Sequence, residues 1–207
     1  MTPVNWTPVD VVVMAAGKGT RMKSRLPKVL QRLAGVPLVQ HVLNTAAQLD
    51  ARSAVVITGH GADQVEPVLL APGQALAVQC VRQEPQLGTG HAVQQAVPVL
   101  ADDGVVVILS GDVPLTQAGT LQALIAQCGG DQLALLTIDF ADPTGYGRIV
   151  RKGEAVQAIV EHKDATDAQR QIQEVYSGIM AVPAKLLKGW LGRIDNQNAQ
   201  GEYYLTD

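Results

Sequence analysis

VVVMAAGKGTRM, residues 11–22, is the stretch on which the fold turns. Val11, Val12, Val13 and Met14 form a short apolar run of the kind found in a strand buried on both faces, and it passes straight into Ala15, Ala16 and Gly17. Gly17 and Gly19 let the backbone come close to a ligand, and successive N–H groups there can cradle an anion. Lys18, Arg21, Lys23, Arg25 and Lys28 place five cations within eleven residues. Backbone donors together with long cations suit a triphosphate. The competing reading is an ordinary glycine turn with solvated charges. The stretch is not GxxxxGK[ST], and Met22 stands at the third glycine of a dinucleotide fingerprint.

Outward from this loop, strand-like and helix-like segments alternate. Residues 37–49 put Leu38, Val39, Val42, Leu43, Ala46 and Ala47 on one face at helical spacing, with Pro37 suited to the first turn. Residues 54–58 and 75–81 read as strands with a polar helix-like stretch between them, residues 91–97 as a helix, and residues 105–110 (VVVILS) as the most strand-like run of the chain. Strands separated by helices imply βαβ units and a mostly parallel sheet covered on both faces. Right-handed crossovers then gather the loops that follow the strands, residues 15–22, 82–90 and 110–115, along one edge. Further on, residues 147–150 and 155–161 flank a charged turn and predict a hairpin. Residues 163–173 read as a polar excursion or short helix, 174–182 as a strand and 184–191 as a helix. Without a repeat or linker, one domain is expected.

The bulk numbers agree with a globular protein whose core is aliphatic. Of 207 residues, 47% are hydrophobic, 17% charged and only 3% aromatic, with a formal net charge of −3. No basic run stands out, which argues against nucleic acid or an anionic membrane as the main partner. No apolar stretch approaches a membrane span, and the N-terminus lacks a signal peptide's pattern, so a cytoplasmic location is expected. Cys80 and Cys128 have no metal-site spacing and read as two free thiols.

Three further loops carry candidate chemistry. RLPKVL (residues 25–30) holds Lys28, which on spacing alone is a surface lysine on an extended stretch. QLGTGH (86–91) leads into a helix; its N–H groups and Thr89 suit either a base or phosphate, or simple capping of a βα connection. SGDVPL (110–115) puts Asp112 directly after a strongly apolar strand, where a carboxylate suits Mg²⁺ beside phosphate oxygens. The four histidines form no metal cluster, and no nucleophilic triad stands out. Transfer of a nucleotidyl group can run on positioning and cations alone.

Taken together, VVVMAAGKGTRMKSRLPKVL, QEPQLGTGHAVQQA, SGDVPL, DPTGYGRIVR, AIVEHKDAT and NAQGEYYLTD resemble the uridyltransferase domain of the bifunctional bacterial N-acetylglucosamine-1-phosphate uridyltransferase/glucosamine-1-phosphate acetyltransferases. The resemblance runs nearly end to end. It implies an α/β Rossmann-like, mostly parallel sheet of the nucleotide-diphospho-sugar transferase type, with a small β-hairpin excursion. Residues 1–207 would be a single uridylyltransferase domain truncated at its C-terminal end, without the β-helical acetyltransferase domain through which full-length relatives trimerise. The implied reaction is Mg²⁺-dependent transfer of UMP from UTP to N-acetylglucosamine 1-phosphate, giving UDP-N-acetylglucosamine and pyrophosphate for cell-wall precursor synthesis.

The same resemblance implies roles for particular residues. Arg21 and Lys28 would act on the phosphates; Gln83, Gly88 and Thr89, with backbone from Ala15 and Gly17, would read the uracil. Asp112 would bind Mg²⁺, and Gly147, Glu161 and Tyr176 would face the sugar. Tyr176 stands where family members often have Asn, and Ser110 where some have Tyr. The family's second metal ligand, an Asn, lies beyond the point corresponding to Asp207. The alternatives are a nucleotidyltransferase for another sugar 1-phosphate, a nucleotide-binding fragment with little catalysis, and an NAD-dependent dehydrogenase. The missing third glycine and the cation-rich first loop speak against the last.

Overall fold

The computed structural model describes residues 7–19 and 22–207. The chain opens with β1 (Val9–Met14), followed by the short strands β2 (Arg32–Leu33) and β3 (Val36–Pro37), α1 (Leu38–Ala46), β4 (Ala54–Thr58), α2 (Ala62–Leu69), β5 (Val78–Arg82) and α3 (Thr89–Ala96). Then come β6 (Val105–Ser110), α4 (Ala118–Cys128), β7 (Ala134–Asp139), β8 (Arg148–Lys152), β9 (Ala155–Val160), α5 (Asp167–Arg170), β10 (Glu174–Pro183) and α6 (Ala184–Leu191). The main sheet has the order β5-β4-β1-β6-β10-β8-β9, with β7 on the far edge of β10.

The expected parallel sheet is the half built from β5, β4, β1 and β6. Its strands are valine-rich because both of their faces are covered. Period-two alternation divides their side chains between two cores. Val11, Val13, Val107 and Leu109 pack on one side with Val39, Val42 and Leu43 of α1, Val65 and Leu69 of α2 and Leu121 of α4. Val12, Val55, Ile57 and Ile108 pack on the other with Val93 of α3 and Leu187 and Leu191 of α6. At the amino edge the Arg52 guanidinium donates to Asp10 at 3.1 and 2.6 Å and to Asp103 at 2.8 Å, tying the starts of the central strands together. Those two carboxylates hold the Arg52 guanidinium even more firmly protonated than usual. The opposite, carboxyl edge is left for the loops.

Beyond β6 the sheet turns antiparallel, around one long strand. β10 pairs with β6 from Met180 to Pro183, and with β8 at Val175 on the same side. β7 runs along its other side through both parts, which is how the two pairings can be assigned to one edge. Between them the register shifts, and Gly178 adopts φ +87 facing Ser110. The sheet therefore opens where β6 ends and β8 begins. The β8–β9 hairpin is the one expected from residues 147–161, and α4, β7 and the small β2–β3 pair are additions to the expected elements.

Ile108 lies at the middle of β6 with no exposed surface. Ile108→Ala should lower the unfolding free energy by about 2–5 kcal/mol. In urea this shows as a lower midpoint with an unchanged slope. A loss under ~1 kcal/mol would mean that β6 does not sit at the centre of a close-packed core.

Candidate active site

The parallel half brings the first glycine loop and the loop after β6 together. Ala15 and Ala16 continue β1 as buried residues, Ala15 N–H donating to Ile57 at 2.9 Å. Gly17 faces open space, whereas a Cβ on Gly19, at φ +56, would lie 2.8 Å from Lys28 Cβ. The loop thus closes directly on Lys28, which opens a short 3-10 turn anchored by buried Val29 and Leu30. Gly111 N–H donates to Met14 at 2.9 Å, and the Lys28 ammonium forms an ion pair with Asp112. Lys28, a plain surface lysine by spacing, is therefore the residue the fold delivers to Asp112. Arg21 lies outside the described residues.

A second group forms at the end of β5. Gln83, 3% exposed, is fixed by its N–H to Thr58 at 2.8 Å, and its side-chain amide donates to Gly88 at 2.8 Å. Gly88 has φ +113, and a Cβ there would come within 2.8 Å of Tyr203 N. The C-terminal segment runs against this turn. Tyr203 N–H donates to Leu87 and Gly90 N–H to Tyr203, each at 2.8 Å, and Leu205 N–H donates to Thr89 Oγ1 at 2.9 Å. Thr89's oxygen is thus engaged by the chain itself, so for this residue the packing reading has a contact behind it.

The third group stands across the sheet opening. A Cβ on Gly147 would meet Glu161 Oε1 at 3.4 Å, and Tyr176 N–H donates to Gly147 at 2.9 Å. Burial pushes the Glu161 carboxyl above its usual range, as do Asp164 and Asp207, while the Thr206 hydroxyl, donating at 3.0 Å, opposes the rise. The Tyr176 phenol is shut off from solvent with no hydrogen-bond partner among the described residues. Burial and nearby Glu161 push its proton loss well above the ordinary range. Thr206 and Leu205 connect this group to the second one. The sequence signalled this strap only through its resemblance, because its function lies in backbone contacts.

Two other features bear on the site. A cavity of about 1140 Å³ lies beside it, lined by Val156, Leu187, Trp190 and Leu191 among others, and meets the third group and the C-terminal segment at Glu161, Asp164, Leu205, Thr206 and Asp207. Its lining lacks the glycine loop and Lys28. Among the described residues no cluster of three or more His, Cys, Asp or Glu could cage a metal. A lone carboxylate at Asp112, already holding one cation, fits a hard divalent ion that takes its remaining ligands from water and phosphate. Cys80 and Cys128 are free, and burial raises the Cys80 thiol to about 11.

This fold aligns with a UDP-glucose pyrophosphorylase complexed with UDP-glucose at a TM-score of 0.78, 16% identity, and coverage of 97% of this chain and 84% of the other. A glucose-1-phosphate thymidylyltransferase from Bacillus anthracis gives 0.78 with 18% identity, over 96% and 80%. The sheet and its helices are arranged as in these two proteins. The chain belongs to the MobA-like NTP transferase domain family, whose model matches residues 11–177. It is 72% identical to the bifunctional protein GlmU of Albidiferax ferrireducens over 202 residues, and 70% identical to that of Paracidovorax citrulli over 200 residues. These alignments take in 96% of this chain but 44% and 42% of the relatives, so the chain spans less than half of their length.

The raised Glu161 carboxyl gives a signed stability prediction. The folded state holds its proton more tightly than the unfolded chain, so the penalty for ionising it is absent at low pH. It grows as pH rises above the ordinary value of 4.5 and is complete above the folded one. Glu161→Gln should therefore raise Tm at pH 7. It should change Tm little at pH 4. A Tm lowered at pH 7 would mean that the ionised carboxylate stabilises the fold. Gly88→Ala, by contrast, should destabilise the fold by more than ~1 kcal/mol through strain at positive φ and collision with the strap, checked by urea unfolding.

Proposed function

We propose that this chain transfers UMP from UTP to N-acetylglucosamine 1-phosphate with Mg²⁺, releasing pyrophosphate. The observation that carries the reading is the meeting of Lys28 and Asp112 at the carboxyl edge of β1 and β6, with Glu161 and Thr206 across the sheet opening. One side offers cation, carboxylate and glycine backbone for phosphates, and the other offers acceptors for sugar hydroxyls. The six motifs and the similarity to the GlmU proteins support the particular substrates.

In this reading Gln83 and Gly88 take the uracil, with Thr89 and the backbone of Ala15 and Gly17 beside it. A phosphate oxygen of the sugar phosphate attacks the α-phosphorus, the bond to the β-phosphate oxygen breaks, and pyrophosphate departs. Lys28 offsets the charge on the reacting phosphates, and Arg21 would serve the leaving group. No side chain needs to take a proton, since the nucleophile is already an anion. Asp112 would hold Mg²⁺, which supplies charge neutralisation to the triphosphate. Gly147 leaves room for the sugar against Glu161, whose oxygens accept from its hydroxyls, with Tyr176 at the opening beside them. The reaction would be cytoplasmic and feed cell-wall precursors.

Pyrophosphate release from UTP, with and without N-acetylglucosamine 1-phosphate and Mg²⁺, tests the proposal. Lys28→Ala should lower kcat by about 10²-fold, the size expected when one group stabilising transition-state charge is removed. Asp112→Asn should cost activity and Mg²⁺ response together while leaving Tm near that of the unaltered chain. Release that ignores the sugar phosphate, or an Asp112→Asn protein whose Tm falls along with its rate, would sink these assignments. UDP-N-acetylglucosamine should raise Tm more than UDP-glucose does; equal shifts would remove the sugar assignment and keep the nucleotide one.

A further inference from the structure

We infer that His91 is a positioning residue that fixes the orientation of the Gln83 carboxamide and so sets preference for uracil over cytosine. The inference rests on the proposed role of Gln83 in reading the base.

Gln83 Nε2 carries two hydrogens and has two acceptors before it. The Gly88 carbonyl lies at 2.8 Å and His91 Nδ1 at 3.2 Å. Turning the carboxamide over would set its oxygen against the Gly88 carbonyl oxygen, acceptor against acceptor. Only the observed orientation satisfies both neighbours, and only if Nδ1 is bare and the ring proton sits on Nε2. Gln95 Nε2 also lies 3.2 Å from the other ring nitrogen, while donating to the His91 carbonyl at 3.0 Å. The ring therefore faces an amide nitrogen on each side, and a neutral imidazole can accept from only one. The Gly88 carbonyl settles the matter in favour of Gln83, because it already requires that amide to donate. His91 is itself held at the start of α3, with the Tyr203 ring of the C-terminal strap at a centroid distance of 6.3 Å.

With both hydrogens of Nε2 occupied, the valence left to Gln83 is its oxygen, which accepts from no described residue. An oxygen presented to a pyrimidine edge accepts a hydrogen bond from uracil N3–H but meets a lone pair at cytosine N3. The base preference then depends on preventing rotation of one carboxamide. Gly88 supplies one restraint through the backbone, and His91 the only side chain found on that amide among the described residues.

The test measures UTP and CTP affinities by calorimetry for the unaltered chain and for H91F, H91N and Q83A. H91F keeps a ring against Tyr203 but removes the acceptor, and should cut the UTP-over-CTP preference by about 5- to 10-fold, the effect of one lost hydrogen bond. H91N, whose side-chain oxygen replaces Nδ1, should restore the preference to within about twofold, a rescue that a purely structural role would not give. Q83A should abolish the preference. An unchanged ratio in H91F, with collapse in Q83A, overturns the role of His91 and leaves the base reading standing. An unchanged ratio in Q83A, or no UTP binding by the unaltered chain, overturns both. Should circular dichroism show that H91F has lost its fold, H91A carries the same comparison.

Discussion

The parallel pairing of β1 with β6 is the constraint on which everything else depends. Six residues of each strand are matched from Val9 with Val105 to Met14 with Ser110. With both faces buried, a slip of one residue would exchange the side chains of the two cores. Because the strands end level, their loops emerge side by side, and Gly111 can donate to the Met14 carbonyl. Asp112 then stands where Lys28 can reach it. The Lys28–Asp112 pair is thus a consequence of register, with the valine-rich strands doing at a distance what no local motif could do.

The wall opposite the Lys28–Asp112 pair depends on a different device. β10 serves two partners along one edge, and the turn at Gly178 separates them. A continuous ladder there would leave no opening between the parallel sheet and the hairpin. The irregular piece of β10 is therefore what turns an ordinary sheet edge into a cleft with two walls. The strap of residues 203–206 then spans the walls, bonding Leu87, Gly90 and Thr89 on one and Glu161 on the other.

Much of this was legible in the sequence, for identifiable reasons. Strand β6 and the loops after β1, β5 and β6 announce themselves because an apolar run followed by Gly or Asp has few other meanings in an α/β chain. Lys28 did not, since its role comes from Gly19 folding onto it and from Asp112, more than eighty residues away in sequence. The strap was legible only through the resemblance, because most of its bonds are made by backbone N–H and carbonyl groups, which leave no signature in residue type. β7 and α4 lie outside the regular alternation of the first half and gave weak period signals, and β10's division between two partners follows from the packing of both halves.

Where the structure tolerates unfavourable burial is instructive. Glu161 is pushed toward its neutral form by burial, and the Tyr176 phenol, at the margin of the core that holds Val12 and Ile108, is shut away without a described partner. A core would replace such groups with apolar ones at no loss to folding. Their presence is understandable if hydroxyls of a ligand complete the hydrogen bonding that the chain itself leaves unfinished. The same logic distinguishes the two ends of the sheet. At the amino edge Asp10 is buried and both of its oxygens are answered by Arg52, which is what a structural ion pair requires. At the opening, charge and hydroxyl are brought together and left partly unanswered among the described residues, which is what the proposed ligand contacts require.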